Sequence, residues 1–159
     1  MKEGQAMEIF WQDLHHRDLN TTQLYQLLGL RNAVFIVEQR CAYADIDGAD
    51  LAGDNRHILG VARGRLVACA RILGPESAGK PVKIGRVAVA AEARGMRLGN
   101  QLVQQAIASC EKYWQQQAIF LSAQAHLQQF YRRLGFSAVS AEYLEDGIRH
   151  IDMRRNPRC

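Results

Sequence analysis

The spacing of apolar positions along this chain changes period several times, and each change marks an element. Glu8-Ile9-Phe10-Trp11-Gln12-Asp13 is short and aromatic-rich, as a first strand is. Asn20 or Thr21 can then cap a helix, and Leu24, Leu27, Leu28, Arg31, Val34 and Phe35 recur at three- and four-residue steps. Gly29 weakens that helix slightly, and it is expected to end near Glu38-Gln39. From Arg40 to Asn55 periodicity disappears and the text turns acidic, predicting a solvated loop that faces substrate. His57 to Ala62 and Leu66 to Leu73 flank Arg63-Gly64-Arg65, the pattern of a hairpin.

The pattern tightens at Val82. Val82 to Ala90 is almost continuously apolar and rich in valine, which predicts a strand covered on both faces. Arg94-Gly95-Met96-Arg97-Leu98-Gly99 follows, and from Gly99 onward Leu102, Val103, Ala106, Ile107 and Cys110 keep helical spacing. Ala118 to Ser122 reads as another strand, and Ala125 to Leu134 as a second helix stopped by Gly135. Phe136 to Ser140 and Ile148 to Arg154 are the last strand candidates, joined by the acidic turn Glu145-Asp146-Gly147. The order is strand, helix, three strands, helix, strand, helix, two strands: a mixed α/β sheet in one domain, residues 7–155.

Composition narrows the class without naming an activity. The chain has 159 residues, 48% hydrophobic and 23% charged, enough for one real core. Its net charge of +4 is spread out, with a basic run only in the tail Met153 to Arg158, read as a solvated end. This weighs against a nucleic-acid partner. Cys41, Cys69, Cys110 and Cys159 form no CxxC and no paired spacing with histidines, so neither a zinc site nor a disulfide framework is indicated. The aspartates of the 40–55 loop lack the fixed spacing and terminal glutamate of a calcium loop. No apolar run reaches membrane length and no signal pattern opens the chain, so a cytoplasmic protein without a membrane partner is expected. Met7 is as sensible a start as Met1, which sets Met1 to Ala6 apart from the domain.

The chemistry begins at the glycine loop. A helix that opens on such a loop aims unpaired backbone N–H groups and the positive end of its dipole at whatever lies in front. Arg94 and Arg97 add full charge, so the site suits an anion, a phosphate or pyrophosphate. A P-loop is excluded because no Gly-Lys-Ser/Thr follows, and a dinucleotide fingerprint because there are two glycines and the next strand ends Leu121-Ser122-Ala123.

A second constellation, Gln124 to Phe136, joins the loop. Together they resemble the GNAT superfamily of N-acetyltransferases. That family's loop is Q/R-x-x-G-x-G/A, and its later aromatic pair and Gly-Phe stand here as Phe130-Tyr131 and Gly135-Phe136. Leu30 to Gln39, Asp45-Ile46-Asp47-Gly48 with Asp50 and His57, and Glu145 to Ile151 further resemble the ElaA-like branch. The resemblance covers nearly the whole chain. It implies a mostly antiparallel mixed sheet flanked by helices, the acyl-CoA N-acyltransferase fold, with acetyl-CoA as co-substrate and no metal.

The site residues follow from the same resemblance. Backbone N–H groups of Arg94, Gly95, Met96, Arg97, Leu98 and Gly99, with Asn100 opening the helix, would hold the CoA pyrophosphate. Val87, Ala88 and Val89 would pair with the pantetheine amides like an added strand, an N–H near Val87 polarising the acetyl carbonyl. Gln124, where many relatives carry asparagine, and Phe130 would line the cofactor, and Tyr131 would protonate the leaving thiolate. Arg97 replaces the middle glycine, so one backbone position must tolerate a side chain.

The general base stays open among Glu38, His57 and His150, because the central strand offers only Lys83 and Arg86 where histone-acetylating relatives place a glutamate. Arg31 is either a ligand for an acidic substrate or a structural partner of Glu38 or Asp47. Arg86, in a buried strand, needs a partner. The acceptor is a small-molecule or peptide amine, bound by residues 39–56 and 141–150, and a homodimer is compatible with this reading. No cysteine occupies an obvious nucleophile position, which favours direct transfer. Two rivals remain: an acyl-homoserine-lactone-synthase-like acyltransferase, and a non-catalytic CoA-binding or regulatory module.

Overall fold

Residues 8–157 of a computed structural model are described; Met1 to Met7, with the candidate start, and the final Arg158 and Cys159 lie outside them. Strand β1 (Phe10–His15) is followed by helix α1 (Thr21–Arg31). Asn20 and Gln23 cap α1 reciprocally, the Asn20 side chain accepting from Gln23 N at 2.8 Å and the Gln23 side chain from Asn20 N at 3.0 Å. The helix does not stop at Arg31. It widens into a π-helical segment, Asn32–Glu38, that shifts the register of Val34 and Phe35.

β2 (Arg56–Ala62) and β3 (Arg65–Leu73) form the expected hairpin. Its two turn residues, Arg63 and Gly64, have φ of 51° and 76°, the primed geometry that suits the twist of paired strands. β4 (Val82–Val89) leads through the glycine loop into α2 (Leu98–Tyr113), which starts one residue before the expected Gly99. Then come β5 (Ile119–Gln124), a single 3₁₀ turn Ala125–Leu127, and α3 (Gln128–Arg133). The expected second helix is thus two pieces, and Gly135 at φ 95° ends it as predicted.

The C-terminal end holds more sheet than the periodicity suggested. β6 (Ser137–Ala138) is short, and β7 (Tyr143–Glu145) pairs with β8 (Ile148–Arg155) across Asp146-Gly147, φ 51° and 78°. β7 is too short for an alternating signature of its own. The basic tail is not simply a solvated end either: Met153 is fully buried in β8, and Arg155 Nε donates to the Leu134 carbonyl.

Among the described residues one sheet holds all the strands, in the order β1-β2-β3-β4-β5-β8-β6 with β7 on β8, and only the β4–β5 pair is parallel. α2 packs Leu102, Val103, Ala106, Ile107 and Cys110 against Ile58, Ala70, Ile72, Val82 and Ile84 on one face. On the other face Val34, with Leu30 and Phe35 beside it, covers Cys69 and Ala88. β4 corrects one expectation. It is not covered on both faces along its length, because buried and half-buried residues alternate and its second half borders a cleft.

Candidate acyl-CoA site

β4 and β5 are laddered only at Val82↔Ile119 and Lys83↔Phe120. Beyond Lys83 they part. The cause lies in β4, where Gly85 faces Arg71 and Ala88 faces Cys69, so three residue steps oppose two. This bulge puts Arg86 at φ 50°, a left-handed conformation on a non-glycine residue inside a strand. The parted edges border a cleft of about 840 Å³ lined by Gly85 to Val89 on one side and Phe120 to Gln124 on the other.

At the mouth stands the glycine loop. Gly95 has φ 85°, and Arg97, at φ 58° and ψ 23°, directly precedes α2. The arginine therefore adopts the left-handed turn that glycine usually supplies. Among the described residues no acceptor meets the N–H groups of Gly95 through Asn100, and α2 has no side-chain cap. Those unmet donors lie at the positive end of the α2 dipole, an arrangement that favours an anion. Arg94, Gly95, Arg97, Leu98 and Gly99 line the cleft; Met96 and Asn100 do not.

Tyr131, on α3, lines the same cleft, its ring held edge to face by Phe130 at 5.0 Å and by Phe136. Its hydroxyl has no partner among the described residues, and burial alone pushes its pKa up to about 12. The phenol is therefore protonated at neutral pH and free to donate. Gln124 and Phe130 also reach the cleft, and Phe130 Cζ would sit 3.8 Å from a Cβ on Gly99.

His150, on β8, enters from the far side. Nδ1 lies 2.8 Å from the Ile148 carbonyl, which can only accept, so Nδ1 carries a hydrogen. Glu145 Oε2 is 3.6 Å from Nε2, and the Tyr143 ring stacks on the imidazole at 6.1 Å. Glu38 and His57 are not brought there. Glu38 pairs with Arg94 outside the cleft, and His57 is buried with Nε2 2.9 Å from the Asp50 carbonyl. Burial lowers the His57 pKa.

Arg31 pairs neither with Glu38 nor with Asp47, contrary to expectation. It is 1% exposed and donates to Asp45 and Asp50, with Nη1 2.6 Å from Asp50 Oδ1. Arg71 meets Asp47 and Asp50, and Arg86 meets Asp45 and Asp47. Arg86 Nε lies 2.8 Å from Asp45 Oδ1 at an angle short of a hydrogen bond, and its guanidinium stands over the Tyr43 ring. Three arginines from α1, β3 and β4 thus fasten one irregular loop. Hydrogen bonding from Arg71 brings Asp47 down to about 2, while Arg31 and Arg71 overcome burial to hold Asp50 low.

Several cleft residues carry no motif of their own. Cys41 lines the cleft despite offering no nucleophile motif, its Sγ 3.5 Å from the Asp146 carbonyl, so the segments 39–56 and 141–150 touch. Ser122 also lines it, with its Oγ 3.0 Å from Asp152 Oδ1, which accepts from Tyr143 at 2.5 Å. The alternation of β5 was the available signal, since Ser122 shares a face with Gln124. No group of three or more His, Cys, Asp or Glu side chains placed to hold a metal occurs among the described residues.

A parallel pair splayed by a bulge, with an uncapped helix start at its open end, defines an acyl-CoA-type acyltransferase fold. The chain belongs to the GNAT acetyltransferase family: the profile of the acetyltransferase (GNAT) domain matches residues 20–157. It is 54% identical over 147 residues to Protein ElaA of Escherichia coli K12, covering 92% of this chain and 96% of that one. The crystal structure of Escherichia coli ElaA superposes with a TM-score of 0.91, at 52% identity over 94% of this chain and all of that one. An acyl-CoA N-acyltransferase from Pseudomonas aeruginosa follows at 0.89 and 47%, covering 93% of this chain and 99% of that one. The acyl-homoserine-lactone synthase LasI, 16% identical with a TM-score of 0.70, covers 95% of this chain and 91% of that one and shares the fold.

Proposed function

We propose that this protein transfers an acetyl group from acetyl-CoA to a primary amine of a small molecule or peptide, by direct attack within a ternary complex in the cytoplasm. The observation that carries this reading is the run of unpartnered N–H groups from Gly95 to Asn100 at the open end of the β4–β5 cleft. They suit a pyrophosphate, and the edge of β4 at Val87 and Ala88, which β5 leaves unpaired, suits an extended chain of amides leading inward from Val89.

Bound acetyl-CoA supplies a thioester, at whose carbonyl carbon a C–N bond forms while the C–S bond breaks. The Val87 N–H stabilises the carbonyl oxygen as it gains charge. His150 Nε2 takes the proton that the amine loses, and Glu145 steadies the resulting imidazolium. Tyr131 gives its proton to the departing thiolate sulfur, and buffer restores it. The cysteines among the described residues take no part: burial pushes the Cys69 and Cys110 thiols up to about 12, and Cys41 serves as wall.

Incubating the protein with acetyl-CoA and a panel of amines, while following free thiol release, tests the reading. Turnover on at least one amine, strongly reduced in Tyr131→Phe, is expected. CoA binding with no turnover on any amine, and no effect of that substitution, would favour a binding module. Failure to bind CoA by calorimetry would overturn the assignment of the cleft.

A further inference from the structure

Glu38 closes the π-helical segment and meets Arg94 from 56 residues away, its Oε2 lying 2.5 Å from Nη1. Arg94 turns the rest of its guanidinium inward, Nε and Nη2 donating to the Val89 carbonyl at 3.2 and 3.0 Å. Each nitrogen of the fork is therefore engaged, and a planar group held at three points has one orientation. The hydrogen bond from Arg94 is the main reason the Glu38 carboxyl titrates below its ordinary value, which leaves it ionised and weakly basic.

The loop beyond Arg94 has little else to hold it. A Cβ on Gly95 would find nothing within 4 Å, and the N–H groups from Gly95 to Asn100 have no acceptor among the described residues. Its other anchor is Leu98, buried beside Ala90 and Ala93. Arg94 is thus a strut joining the end of the first helical run, the last residue of β4 and the first residue of the loop. Arg97 makes no ion pair among the described residues, so it is the cation left to face an anion.

We propose that Glu38 is a positioning residue for the cofactor loop. By fixing Arg94 across the Val89 carbonyl it holds the free N–H groups where a pyrophosphate meets them, and it takes no proton from the acceptor. This rests on the reading of the cleft as a CoA site. It divides the two loop arginines by task, Arg94 setting geometry and Arg97 supplying charge.

The test is calorimetric titration of CoA, without acceptor, into wild type, E38Q, R94Q and the double variant, with thermal unfolding confirming that each is folded. Arg94→Lys stands in for R94Q if that variant does not fold, since it keeps the charge and loses the fork. E38Q should weaken CoA binding by about fivefold, and the double variant should bind no more weakly than R94Q alone, because residues acting through one contact are non-additive. The acid limb of the kcat/KM profile should keep its position in E38Q. Unchanged or tighter binding in E38Q, losses that multiply in the double variant, or a displaced acid limb would overturn the proposal. Wild type that does not bind CoA would overturn it together with the function on which it rests, and only that outcome touches the latter.

Discussion

Phe136 stands edge-on to Tyr131, ring centroids 5.9 Å apart at 78°, and helps bury a phenol ring whose hydroxyl has no hydrogen-bond partner among the described residues. A hydroxyl on the cleft wall that is protonated at any physiological pH is suited to giving its proton to a thiolate. Tyr131→Phe should therefore lower kcat by about a hundredfold, with the Kd for CoA nearly unchanged, in steady-state assays paired with calorimetry. Because the Tyr131 pKa lies near 12, ionisation of this group should not produce a basic limb below about pH 10.

His150 is the proton acceptor of the proposed reaction. His150→Gln should reduce kcat/KM at neutral pH by about a hundredfold, leaving CoA binding intact, in steady-state assays paired with calorimetry. An unchanged kcat/KM would assign proton removal elsewhere.

The two left-handed positions of the loop should respond in opposite ways. Gly95→Val forces a β-branched side chain to φ 85°, at a cost of about 1–2 kcal/mol. Arg97→Gly relieves strain at φ 58° but adds unfolded-chain entropy, so thermal unfolding should barely move. Its loss should appear in CoA affinity and in a shallower dependence of that affinity on salt, measured by titration at several ionic strengths.

The arginine–aspartate loop should lose stability in strong acid. Arg31→Met removes the buried arginine that Asp45 and Asp50 share, leaving them only Arg86 and Arg71, and should cost about 3 kcal/mol in denaturant unfolding. Asp47 has a folded pKa lowered from 3.8 to about 2, so its contribution is complete above about pH 4. It fades as pH falls toward 2. Thermal unfolding followed against pH should decline across that window in wild type and less steeply in Asp47→Asn.

Local periodicity made much of the fold legible. The Asn20 cap, the Arg63-Gly64 turn, the stop at Gly135 and the helix carrying Leu102 to Cys110 are all written in neighbouring residues. Relations between distant residues were not. The partners of Arg31 lie 14 and 19 residues away in a loop without period, and Glu38 finds Arg94 only through the fold. The π-helical widening has no composition of its own, and the bulge in β4 falls on Arg86 although Gly85 beside it would be the residue to expect there. For the site, the loop could be placed from sequence, whereas Cys41, Tyr43 and Ser122 reach the cleft through tertiary packing.

The loop carrying Asp45, Asp47 and Asp50 has a consequence for how such enzymes diversify. Its fastening points are fixed by charges on three separate elements, while Ile46 and Leu51 between and beside them are largely exposed. Residues in those gaps can be exchanged without disturbing the anchors. A lineage could vary the surface of this loop there, one side chain at a time, while the anchored frame beneath it is inherited intact.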